Sequence, residues 1–204
     1  MRFSLVLPSR RAGSTIEVAE NPDFAGASYN APMSWITNDK VAKQLLLEAA
    51  TCKYIDSRRL TTLLVCLSFD DAFICTDGFA ELLQRILRWS NDHEAHYMVL
   101  KPDPVWYFHK HFSKYPIVAI RSGETTEEYL ASLHQDPGGS PADAVGTNCY
   151  EWVILPTSHQ WFVHCLRDSS DKGGHLWIPQ SWLERTKDAF PWLTYPAEAE
   201  AADF

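Results

Sequence analysis

The side chains with the most obvious chemical potential in this sequence are His164 and Cys165, adjacent to each other with Asp168 close behind. A cysteine nucleophile needs a base within hydrogen-bond reach and a third group to orient that base. The surrounding run, Trp161–Leu166, reads as a β-strand, and neighbouring strand residues point to opposite faces. His164 therefore goes with Phe162 and Leu166, and Cys165 with Trp161 and Val163. The two cannot share a proton, which leaves a core thiol and a hydrogen-bonded histidine.

His109-Lys110-His111 offers metal chemistry instead. On a strand both imidazoles lie on one face, the spacing at which two ligands grip one ion. If Lys101–Pro104 is the loop of a hairpin, His96 comes opposite His109 and Glu94 opposite His111. Three histidines and a carboxylate would make a zinc or non-haem iron shell. A loop one residue shorter brings Tyr97 opposite His109 and dissolves the site. The competing expectation is a polar strand end, exposed at Lys110 and Lys114.

Other groupings read as structure. Asp70-Asp71 looks like a turn, and Asp77 like the cap of a helix. Gly138-Gly139 and Gly173-Gly174 lack the strand–glycine–helix context of a phosphate loop. Neither the serine-hydrolase elbow, the Walker A loop, the zincin helix nor the dinucleotide fingerprint occurs. The sequence therefore predicts no catalytic residue and no cofactor.

The elements that would position these residues follow from pattern. Tyr150–Leu155, Trp161–Leu166 and His175–Ile178 are dense apolar runs separated by polar loops, and they predict the core of an antiparallel sheet. Tyr97–Leu100 and Val105–Phe108 predict a further hairpin, and Pro116–Ile120 another strand. Leu60–Phe69 fits either a strand or a buried helix. Helices are expected over Lys40–Thr51 after Asn38-Asp39, over Phe79–Trp89, over Thr125–Leu133 and over Trp182–Ala189 capped by Ser181. Phe3–Leu7 reads as a short strand, Ser9–Pro32 as an arm, His134–Thr147 as a loop and Ala197–Phe204 as a frayed acidic tail. Together these predict one α+β domain over 1–204, more helical over 39–90 and strand-rich over 97–190. About five to six strands, mostly within 97–178, pack against N-terminal and crossover helices.

Composition narrows the function. A hydrophobic fraction of 46% with 22% charged residues belongs to a folded chain, not a disordered one. The net charge of −8, without a cluster of Lys or Arg, argues against nucleic acid, which needs a basic face. Five cysteines, an odd number with no CxxC pair, fit a reducing cytosol. No apolar run approaches the ~18 residues of a membrane helix, and the near-apolar start is shorter than a signal-peptide core. The expected location is the cytoplasm, without membrane partners.

Aromatic side chains crowd the loops and strand ends, with carboxylates between them. Trp106, Tyr107, His159, Asp168, Asp171, His175 and Trp177 are the expected partner-binding residues, because aromatic anchors dominate interfaces and charges steer encounter. In this small, acidic, aromatic-rich character the chain resembles bacterial immunity and antitoxin-type inhibitors. That resemblance implies a non-enzymatic binding module that blocks a basic toxin or enzyme. The alternatives are a metal-dependent enzyme built on Glu94, His96, His109 and His111, and a structural domain that buries its aromatic face in a homo-oligomer; the expected state is a monomer or homodimer.

Overall fold

In the computed structural model, which describes residues 35–53, 64–101, 104–134, 150–168 and 171–194, six strands form one antiparallel sheet. They are β1 (Leu64–Phe69), β2 (Glu94–Lys101), β3 (Ile117–Arg121), β4 (Glu151–Pro156), β5 (Phe162–Asp168) and β6 (Asp171–Pro179). Their spatial order is β1-β6-β5-β4-β2-β3. The described residues belong to one compact unit, Pro32–Phe204. The expected strand Phe3–Leu7, the arm, the 135–147 part of the loop and the acidic tail lie outside the described residues.

Five α-helices accompany the sheet among the described residues: α1 (Asp39–Lys53), α2 (Asp77–Ser90), α3 (Pro104–Phe112), α4 (Thr126–Leu133) and α5 (Leu183–Ala189). Short 3-10 turns occupy Asp71–Cys75 and Gln180–Trp182. The architecture is α+β with an open antiparallel sheet, as the sequence predicts.

Alternation along the strands divides the core in two. One face carries Leu67, Tyr97, Val99, Trp152, Ile154, Val163, Cys165 and Leu176, packed against Phe79, Leu82, Leu83 and Ile86 of α2. The other carries Met98, Ile117, Val153, Leu155 and Phe162, with Ala42 and Ala49 of α1 set against it. Trp161 closes the first core by donating its buried indole N–H to Ser90 Oγ at 3.1 Å. Each outer edge of the sheet meets a short stretch of the same chain. Trp35 bridges to Val118 on β3, and Thr194 to Ser68 on β1. Ser68 and Thr194 exchange two N–H···O bonds of 2.8 Å.

Two expectations need correction. The sequence predicts a return strand at Val105–Phe108, whereas the chain forms α3 there, beginning at Pro104. Proline suits the first helical turn, where its missing N–H costs nothing. β2 pairs instead with β3 and β4, with His96 opposite Ala119 and Leu155. The helix caps also differ. Thr76, not Asp77, caps α2, its Oγ1 accepting from Phe79 N–H, and Ser181 makes no cap because the chain passes through a 3-10 turn before α5.

Candidate functional site

The β1–β6 pairing builds the site. Its register sets Ser68 opposite His175, and β5 then sets His164 opposite His175. Glu151 on β4 lies on the same face, two residues from Val153, which is opposite His164. A row of polar side chains thus crosses four strands on the face that also carries Met98, Ile117 and Val153. Ser68 Oγ lies 3.2 Å from His175 Nδ1, and Cys66 Sγ lies 3.7 Å from the same nitrogen. His164 Nε2 lies 3.2 Å from an oxygen of Glu151, which is fully buried. A buried carboxylate needs such partners, because its charge is otherwise costly to desolvate.

The Ser68 end of the row opens into a cleft of about 540 Å³ lined by Ser68, Phe69, Asp70, Asp71, Gly173, His175 and Thr194. Asp70 caps the 3-10 turn by accepting from Ala72 N–H at 2.9 Å. Asp71 is ion-paired with Arg167 at the end of β5. Burial pushes the Cys66 thiol up to about 11, so it stays protonated at neutral pH. Cys66 does not line the cleft, whereas Ser68 does.

Backbone pairing places Asp168 opposite Asp171 at one end of the β5–β6 ladder, next to Arg167 and Lys172. Tyr150 leads into β4 at the same end, 60% exposed, its carbonyl accepting from Arg167 N–H. Asp70 and Asp71 on the cleft, the Asp71–Arg167 ion pair and the exposed Tyr150, whose carbonyl meets Arg167 N–H, thus share one end of the sheet.

The predicted partner-binding residues do not form one surface. His175, Asp168 and Asp171 belong to the cleft end. His159 lies in the β4–β5 turn at the opposite end of β5, with Nε2 3.4 Å from Glu48 of α1. Tyr107 is on α3, its ring 4.6 Å from that of His111. The Trp177 ring is stacked on Phe162 at 5.7 Å, within the second core. The side chains of Trp106, Asp168 and Asp171 lie outside the described set.

The predicted metal ligands are also separated. Successive helical residues are about 100° apart, so His109 and His111 point in different directions from α3. His109 stacks on Tyr115 at 4.8 Å, with Nε2 3.7 Å from Asp39. His96 is buried on β2 with Nε2 3.6 Å from Glu94. Burial lowers its pKa, and the nearby Glu94 and Glu48 oppose that shift. Among the described residues no group of three or more His, Cys, Asp or Glu side chains is placed to hold a metal ion. The hairpin register that would have assembled that shell is absent, because its second strand is a helix.

Sequence reasoning missed Ser68 and the row it begins. The local clue, Asp70-Asp71 after the apolar run Leu64–Phe69, correctly indicates a turn but does not reveal which strand lies beside it. Comparison with known proteins adds no relative: no family model, no curated protein and no solved structure matches this chain. Among the described residues no helix is long and apolar enough to cross a membrane.

Proposed function

We propose that this chain is a cytosolic protein-binding module that engages a basic partner through the cleft end of its sheet, in the manner of an immunity- or antitoxin-like inhibitor. The observation that carries this reading is the pair of carboxylates, Asp70 and Asp71, on the lining of the cleft, with Asp71 ion-paired to Arg167 and Tyr150 60% exposed where its carbonyl meets Arg167 N–H. An exposed tyrosine supplies a rigid apolar anchor with a polar tip, and the carboxylates raise the encounter rate with a cationic surface. The net charge of −8 acts in the same direction at longer range.

Photocrosslinking in the native host tests it, with a benzophenone amino acid placed at Tyr150 or at the exposed Leu47 of α1. The expected result is one stoichiometric adduct from position 150 and none from position 47. Adduct yield should fall with added salt and in D70N, since Asn keeps the turn cap and removes the charge. No adduct at 150, or equal capture from both positions, would overturn the reading.

A further inference from the structure

The cleft also holds a group of a different chemical kind. Ser68 Oγ and His175 Nδ1 are 3.2 Å apart, within reach for a nucleophile and its general base. They come from adjacent strands in directly opposed register, so the pair rests on rigid backbone. Both line the 540 Å³ cleft, which is large enough for a small organic substrate. On the far side of His175, directly opposite on β5, is His164, itself bonded to the buried Glu151. Opposed residues on one face have Cβ atoms about 4.5–5.5 Å apart, so this histidine–carboxylate pair flanks the imidazole.

Beyond the binding role, we infer that Ser68 is a nucleophile served by His175, and that the cleft accepts small carboxylic esters. With its proton on Nε2, His175 accepts the Ser68 hydroxyl proton at Nδ1 as Oγ bonds to the ester carbonyl carbon. The carbon–oxygen bond to the alcohol breaks, and His175 returns the proton to the departing alkoxide. Water then attacks the acyl-serine with the same imidazole as base, releasing the acid and restoring the hydroxyl. Ser68 N–H is bonded to Thr194 O, so the serine's own amide is not available to the carbonyl oxygen. That sets the expected activity at the slow end, with activated esters and phosphonylating reagents as the reactive class.

The test uses the full chain with an excess of a fluorophosphonate, in which the Ser68 Oγ–phosphorus bond forms and fluoride departs. Intact mass should show one adduct, and peptide mapping of the unmutated chain should place it on Ser68, which needs no variant to fold. S68A should remain unlabelled. H175Q should react at least ~100-fold more slowly, the scale of a lost general base. S181A, which removes an exposed serine elsewhere, should react as the parent does. Absence of any adduct after prolonged exposure, an adduct mapped to another residue, or an unchanged rate in H175Q would overturn the inference.

Discussion

Phe69 lies over Gly174 across the β1–β6 pair, so close that a β-carbon on residue 174 would fall 2.1 Å from the ring's Cζ. The ring is buried, with Phe79 at 5.2 Å and the edge of Trp192 at 6.4 Å, so it has little room to retreat. The register that sets Ser68 against His175 is the neighbouring pair on these strands. G174A should therefore cost about 1–3 kcal/mol by overpacking, and F69A about 3–5 kcal/mol by loss of the ring. In the double variant the two losses should sum to less than their separate values, because the added methyl then meets a cavity. Urea denaturation of the four proteins reads this, and strict additivity would refute direct contact.

Glu124, between β3 and α4, is buried, and neither carboxylate oxygen has a hydrogen-bond partner among the described residues. Burial pushes its carboxyl up from 4.5 to about 7, against an opposing pull from Arg121. The folded state then holds this proton more tightly than the unfolded chain does. Its stabilising contribution is complete below about pH 4.5 and is lost as pH rises through about 7. E124Q should match the parent near pH 4 and exceed it by about 2–3 kcal/mol at roughly pH 8.5. Equal differences at the two pH values would show that burial of the charge is not the cause.

Asp92 holds the β4–β5 turn to the end of α2. It is buried and accepts from Thr157 Oγ1 at 3.0 Å, from Ser158 N–H at 2.8 Å and from Ser158 Oγ at 2.7 Å. D92A strands these donors and should cost at least about 2 kcal/mol, with D92N milder because one acceptor remains. Amide exchange should quicken first at Ser158. Uniform quickening across the sheet would mean that Asp92 acts on global stability alone.

The start of α2 separates two readings of the same sequence. Thr76 makes the side-chain cap, and Asp77 follows inside the first turn. T76A should cost about 1 kcal/mol, and D77A only about 0.3–1 kcal/mol through the helix dipole. Thermal melts of the two variants rank them, and a larger loss in D77A would restore the sequence-based assignment.

The sheet was largely readable from the sequence because its strands are dense and bounded by turn residues. Glu151–Pro156 and Phe162–Asp168 are found where the apolar runs place them, whereas β6 begins at Asp171, four residues before the run at His175, so much of the polar loop expected over Arg167–Gly174 is paired strand. The opposite-face argument for His164 and Cys165 also matches the packing, with Cys165 in the α2-side core and His164 on Glu151. Trp106-Tyr-Phe-His109 misleads because aromatic residues favour strands, while the choice of helix depends on Pro104 and on which partners β2 already has. The Ser68–His175 contact spans 107 residues and exists only through strand register. No local pattern carries register between strands so far apart in the chain.

The bridges at the sheet margins limit how another molecule can be recognised. On β3, Ile117 O accepts from Ile36 N–H beside the Trp35 bridge, and on β1 both main-chain groups of Ser68 are taken by Thr194. A foreign strand seeking to extend this sheet would have to peel away the chain's own flanking segments first. Recognition by main-chain pairing, which is permissive about sequence, is thereby obstructed at both margins. A ligand is left to be read by side chains at the strand ends, where a single charge or ring can decide between partners.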